Sequence, residues 1–322
     1  MSKPLPAALA GLRDNERGVA LVVVLWVLVL LTFLVMDFAF ATRLETTIVR
    51  NYLEEAQAYY LAQAAFQTAE AEILEDFDYT FLDENGRLVL ALRTPPGGEK
   101  NAAPNRSDIA LGPGVYSYEI TDEESKVNIN VLTYPRLTAL LEETGVVEPN
   151  LRSIISDSIL DWIDSDHLHK LNGAEDDYYE ELNLPYEAKD RRIDTIEELL
   201  LVRGVTPSIF YGGPSEDESE TYAGLANFLT TAAAGFNNNT ASETVLRTLY
   251  SSERAAQIVA RRDANEGVYS ESQTSRNFTI VATGRIPGSP VRRSIKAVVS
   301  RRETSQTITM SVLYWNDNFI GR

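Results

Sequence analysis

The sequence predicts an α+β protein. A long N-terminal helix packs on an antiparallel sheet, and a large all-helical domain is inserted between the strands. Three observations carry this. Val19–Met36 is an uncharged apolar run with Thr32 as its one polar side chain, and helix-compatible composition continues without Gly or Pro to about Phe77. Strand-like alternation appears at 114–120 and 126–131, then returns at 277–286, 292–301 and 307–315. Between them, from Thr133 to about Asn265, the pattern is helical and punctuated by Pro and Gly. A sheet that begins before a helical block and ends after it is most simply one sheet carrying an insertion.

In chain order, residues 1–18 are a short charged leader ending in Arg17-Gly18. The apolar run that follows is roughly 27 Å long at about 1.5 Å per residue, just enough for a hydrocarbon core. No A-x-A-like cleavage site follows it; the chain passes into Asp37-Phe38-Ala39-Phe40 and a long helical pattern, so the run reads as a retained anchor. Lys3, Arg13 and Arg17 precede it, partly offset by Asp14 and Glu16. The positive-inside rule therefore puts the leader in the cytoplasm and the acidic bulk outside. This is the topology of a single-pass inner-membrane protein with a periplasmic C-terminal domain.

Beyond the membrane, Leu44, Ile48, Tyr52, Ala56, Tyr60, Ala64 and Ile73 recur at near-helical spacing, and this face is expected to dock on the sheet with Tyr59 and Tyr60 packing there. Asp83–Gly86 is a turn leading into a strand over 87–92, and Pro95–Asp108 is a loop. The helical block contains a weak repeat. Asn128-Ile129-Asn130 and Asn237-Asn238-Asn239-Thr240 each open a short helix, a turn and a second helix, and Ile196–Phe210 around Arg203-Gly204-Val205 is a further such hairpin. These units resemble helix-hairpin-helix motifs, but their turns are glycine-poor.

Composition narrows the functional classes. With 29 Lys and Arg against 47 Asp and Glu the net charge is −18, which excludes a nucleic-acid partner and favours hard cations. The chain has no Cys, which removes disulfides, thiolate metal sites and Cys nucleophiles. There is no G-x-S-x-G elbow, phosphate loop or H-E-x-x-H, so no catalytic residue is predicted. The densest carboxylate cluster is Asp161, Asp164 and Asp166, followed after a turn by Glu175, Asp176 and Asp177. Gathering these oxygens without a cation would cost like-charge repulsion, and Ca²⁺, which takes six to eight oxygens in flexible geometry, would relieve it. The alternative is a solvated acidic loop. The spacing is not that of an EF-hand: aligned on Asp164, Leu168 and His169 fall where a ligand and a Gly are needed. His167 and His169 are the only histidines, too few for an ordinary zinc site.

A basic-polar leader ending in Gly18, then an apolar stem from Val19 that becomes an amphipathic helix, resembles the type IV prepilin and pseudopilin family. The resemblance implies cleavage between Gly18 and Val19 by a prepilin peptidase and methylation of the new N-terminus. One departure matters: the family's Glu at the fifth mature position is Val23 here. An unpaired stem charge in apolar surroundings is costly, and a subunit lacking that Glu suits the topmost position of a filament. The motif from Asp161-Trp162-Ile163-Asp164-Ser165-Asp166 through Asn172–Tyr179 and Glu198–Val205 narrows the likeness to the general secretion pathway protein K family, minor pseudopilins of type II secretion. It implies a pilin-like fold with a helical insertion and bound calcium. It also implies a non-enzymatic role in a tip complex with minor pseudopilins I and J that starts pseudopilus assembly, with exported proteins as further contacts. The domains expected are the leader 1–18, the membrane part 19–40, a pilin-like first part 41–131, an inserted helical domain 132–266 and C-terminal strands 267–322. Two rival readings stand beside this: a membrane-anchored calcium-binding enzyme or receptor, and a minor pilin of a type IV pilus.

Overall fold

The computed structural model describes residues 16–215, 218–233 and 235–320. Most of the expected leader, residues 1–15, lies outside the described residues. Helix α1 (Glu16–Leu74) is the long helix the composition predicts. Within the unit formed by residues 1–57, every described side chain from Val19 to Leu53 is exposed. Over Val19–Met36 this surface is apolar all round, which suits a bilayer rather than water. Thr32, its lone polar side chain, donates its hydroxyl to the Leu28 carbonyl at 2.8 Å, so no polar group is left for lipid to solvate.

The second unit, residues 58–322, holds everything else. A hairpin of β1 (Tyr79–Leu82) and β2 (Leu88–Ala91) comes first, then the short β3 (Ile109–Leu111) and the long β4 (Gly114–Asp122). After the helical block come β9 (Asn277–Arg285), β10 (Arg292–Glu303) and β11 (Ile308–Asn316); β5 to β8 are two-residue strands within the block. The main sheet is antiparallel throughout, in the order β11-β10-β9-β4-β3. Strand β4 pairs directly with β9, Asp122 opposite Phe278, so the whole block leaves and re-enters the sheet between two adjacent strands. The α+β class and the insertion are thus as the alternation of patterns predicts.

The helix face that meets the sheet is only partly the one expected: Ile73 and Tyr59 lie on it. Ala58, Leu61, Ala62, Ala65, Phe66, Ala69 and Ile73 are buried, with Phe278, Ile280, Ala282, Ile295, Ala297 and Val299 opposite. Leu44, Ile48, Tyr52 and Tyr60 are exposed; of the two tyrosines only Tyr59 packs on this core. The physical reason is close approach. A Cβ on Gly284 would sit 2.1 Å from the Ala58 carbonyl oxygen and 2.6 Å from the Ala62 nitrogen, so the helix lies against bare strand backbone and needs small residues there. A second correction concerns 126–131. Only β5 (Val127–Asn128) is extended; Asn128 then accepts the Asn130 N–H through its side chain and turns the chain into a 3-10 segment over Ile129–Val131.

The insert has its own core. It comprises α2 (Tyr134–Glu143), α3 (Pro149–Ile163), α4 (Asp176–Glu180), α5 (Pro207–Tyr211), α6 (Glu243–Leu249) and α7 (Ser252–Ala264). Between α5 and α6 lie β6 (Gly213–Pro214), β7 (Thr221–Tyr222) and β8 (Leu229–Thr230), the last pairing parallel to β5. The hairpins α2/α3 and α6/α7 follow the sequence repeat, and α2 packs on α6. The middle hairpin differs in that its first arm, Ile196–Leu201, is a 3-10 helix. The Asn-rich segment that leads into α6 is also a buried joint. Asn237 donates to the Thr80 and Ser275 hydroxyls at 2.7 and 2.8 Å, and Asn239 donates to the Thr80 and Ser270 carbonyls at 2.8 and 2.9 Å.

Candidate metal centre

The site lies on the loop between α3 and α4 and on the loop that follows. Helix α3 ends at Ile163, so Asp161 lies on the helix while Asp164, three residues on, is its extended C-cap, although that spacing would put both on one face of a continuing helix. A carboxylate at a helix C-terminus faces the negative end of the macrodipole, which raises its demand for a cation. Glu175 is the extended residue before α4 and is buried. Three contacts pin the loop: the Asn172 backbone and side-chain nitrogens donate to Asp157 at 3.1 Å, Lys170 bonds Asp161, and the Arg203 guanidinium donates to the Gly173 carbonyl at 3.0 Å. Beneath it, Trp162, Tyr179 and Tyr186 interlock with ring centroids 5.2 to 6.2 Å apart. The loop therefore rests on rigid core rather than on solvent.

Two overlapping groups of metal-ligand type result. Asp164, Asp166 and Glu175 place carboxylate oxygens within 4.8 Å of one another, and so do His167, Glu175 and Asp190 with their ligand atoms. Glu175 belongs to both. Both Glu175 oxygens, Asp164 Oδ1 and Asp190 Oδ1 are buried without a hydrogen-bond donor. Buried carboxylate oxygens are normally satisfied; unsatisfied ones on Glu175, Asp164 and Asp190, residues of two groups that share Glu175, fit a hard cation with oxygen ligands. Electrostatics agrees. The Glu175 carboxyl is pushed up to about 7, first by burial and then by the charges of Asp161, Asp164 and Asp190.

The remaining predicted ligands are occupied elsewhere. Asp161 is fully buried, accepts from the Lys170 ammonium at 3.0 Å and from the Lys170 backbone, and lies so close to Gly173 that a Cβ there would meet its Oδ2 at 1.7 Å. Burial lifts its carboxyl above the usual range, opposed by the Lys170 bonds. It ties the loop down. Asp176 accepts the Ala188 N–H at 2.7 Å, and exposed Asp177 lies 2.9 Å from His169 Nε2. Asp190 was missed. It sits in Lys189-Asp190-Arg191-Arg192, where neighbouring cations hide a carboxylate from any search for acidic clusters. Its φ of 54° puts a non-glycine residue in the left-handed region, which Asp tolerates and which turns the loop toward His167 Nδ1, 3.7 Å away.

This stretch is also where the chain resembles known proteins. Residues 119–211 match the family model described as type II secretion system (T2SS), protein K. The type II secretion system protein K of Pectobacterium carotovorum subsp. carotovorum is 28% identical over 207 residues, covering 62% of this chain and 61% of that protein. The chain is 26% identical to the Klebsiella pneumoniae protein K over 212 residues, with the same coverage. Over this stretch the chain is similar to the type II secretion system protein K family. The match spans about 61% of the length of these curated protein K relatives. A solved chain from the GspK-GspI-GspJ complex of the enterotoxigenic Escherichia coli type 2 secretion system shares the fold, with a TM-score of 0.51, 17% identity, and coverage of 86% of this chain and 98% of that chain. The protein K family model begins within β4 and ends at α5, so it takes in the departure of the insert from the sheet and the whole candidate metal loop.

Proposed function

We propose that the protein is a minor pseudopilin of a type II secretion system that caps the periplasmic pseudopilus in a complex with minor pseudopilins I and J, and that its insert binds Ca²⁺. One observation carries the tip reading: a membrane-length apolar stem, α1, bears a sheet from which a block of more than half the second unit is inserted between adjacent strands β4 and β9. A subunit so enlarged obstructs close stacking in a shaft and meets no neighbour above it at an end. Val23 in place of a stem carboxylate supports the same position. The solved relative comes from a complex with GspI and GspJ, which makes the corresponding pseudopilins the partners to test. The role is assembly, not catalysis, consistent with a family that is a structural part of secretion. Processing after Gly18 and methylation of Val19 belong to this reading, as does a single-pass inner-membrane location with the second unit in the periplasm.

The test is co-purification of the full chain with the I and J pseudopilins of the same organism from native membranes. Recovery of a stoichiometric ternary complex is expected; a chain that purifies alone, with an unprocessed N-terminus, refutes the reading. For the ion, Asp164, Asp166, Glu175 and Asp190 would hold it, and bound Ca²⁺ would supply charge that lets these carboxylates stay together ionised. Calorimetry on the metal-stripped chain should show Ca²⁺ raising the melting temperature; identical melts with and without Ca²⁺ remove the metal assignment.

A further inference from the structure

We propose that the outer edge of β11 accepts an extended, acidic segment of a partner protein as a sixth strand of the main sheet. This goes beyond the tip reading and does not depend on it. The sheet has two edges. One is β3, only three residues long. The other is β11, nine residues long, and among the described residues no strand pairs with its outer side. An open edge presents unpaired N–H and C=O groups, and proteins usually blunt it with charge or Pro. Strand β11, Ile308-Thr-Met-Ser-Val-Leu-Tyr-Trp-Asn316, carries neither. The described residues beyond it turn back to β10, where Phe319 donates its N–H to the Ser294 carbonyl at 3.2 Å.

Both faces of β11 are prepared for a neighbour. Val312 and Trp315 stand opposite Val299 and Ala297, core residues under α1, yet remain 49% and 40% exposed. Trp315 meets Phe66 edge-on at 4.9 Å, so the helix covers the strand only in part. On the other side, a cavity of about 330 Å³ opens between the sheet and the insert, lined by Val298, Leu313, Tyr314 and Lys296 and by Glu197 and Thr231 across from them. Leu313 is the extra residue of a bulge opposite Val298 and Val299 and is 55% exposed. A strand added here would send alternate side chains over Trp315 and into this cavity, the pattern of strand addition.

Charge selects the occupant. Residues 276–322 hold eight Lys and Arg against two acids, Glu303 and Asp317, a net of +6 in a chain of net −18. Exposed Arg302 lies in register with Thr309 and Lys296 with Asn316, so cations stand by both ends of β11. Pairing β11 with a second copy would bring two such basic edges together; a heterologous segment with apolar alternation and carboxylates at its ends is complementary.

The probe is a synthetic peptide of about ten residues, the length of a long strand, alternating Val and Thr with Glu at both ends, against a control with Lys in place of Glu. Full chain in detergent is incubated with each, and amide hydrogen exchange is followed. Protection of β11 amides by the acidic peptide is expected, with binding about tenfold weaker for L313E, for R302E, and on going from low to high salt. Leu313 and Arg302 are exposed, so both variants fold, and R302E leaves the edge backbone intact. No protection at millimolar peptide, equal binding of the Lys control, or concentration-dependent protection of β11 in the chain alone (self-pairing) would each overturn the proposal.

Discussion

At the scale of single residues, adjacent carboxylates divide between two jobs. Asp161 and Asp164 are three apart and both accept from the Lys170 ammonium, yet Asp161 also accepts from the Lys170 backbone while Asp164 keeps an oxygen, Oδ1, that no donor reaches. Substitution should separate them. D161N is expected to lower the melting temperature equally with and without Ca²⁺, whereas D164N, like E175Q, should leave the metal-free melt nearly unchanged and abolish the rise produced by Ca²⁺; calorimetry on both forms checks this. Asp122 poses a different problem. It is buried at the joint between sheet and insert, where it accepts from Ser275 at 2.6 Å and from Thr240 and Asn237. Burial, and then the nearby Glu124 charge, push its carboxyl up to about 7, against the opposing bonds from Ser275 and Thr240. Its folded pKa thus exceeds the unfolded value of about 3.9. The folded state binds the extra proton between those values, so this contribution to stability is complete below about pH 4 and is lost as pH rises to about 7. D122N should flatten that part of the pH–stability curve; an unchanged slope between pH 4 and 7 refutes the shift.

At the scale of elements, the decisive contact is α1 on the sheet. Gly284 and Gly114 both lack room for a methyl group, since a Cβ on Gly114 would meet Leu61 at 2.3 Å. G284A should destabilise the second unit by about 1–3 kcal/mol, the usual cost of overpacking, and urea unfolding followed by the near-ultraviolet signal measures it. The period of α1 was legible in the sequence, but its docking face only in part. Tyr60 belongs to the same near-helical series as Ile73 yet is exposed, and the close approach of the Gly284 backbone to Ala58 and Ala62 favours the alanine-rich side. Likewise the alternation of 126–131 was real, but a local bond from Asn130 to the Asn128 side chain overrides it.

At the scale of the whole molecule, the insert and the sheet keep separate cores, and the insert's two ends leave adjacent, paired strands. Replacing residues 125–275 by a short turn should therefore leave a folded helix-on-sheet protein with intact β4–β9 pairing, seen as retained amide protection, but without Ca²⁺ binding. Collapse of the sheet would show that the Asp122–Asn237 joint is indispensable. Replacing Gly18 with a bulky residue should leave the leader attached and stop secretion; normal export from such a variant is incompatible with the proposed role.

The sequence by itself determined the stem, the α+β class, the order of strand and helix blocks and the neighbourhood of the carboxylate-rich loop. Each of these is written in local patterns: an uncharged run in Val19–Met36, periods of two and of 3.6, and carboxylates clustered between Asp161 and Asp177. Only the tertiary structure decided which carboxylates converge. Asp190 joins Glu175 from a later loop, while Asp161, Asp176 and Asp177 are claimed by Lys170, Ala188 and His169. It also decided that the Asn-rich segment is a buried joint and that, among the described residues, β11 is left as an open edge. Those outcomes depend on which groups meet across long stretches of chain, and a pairing of that kind leaves no period or spacing in the sequence to read.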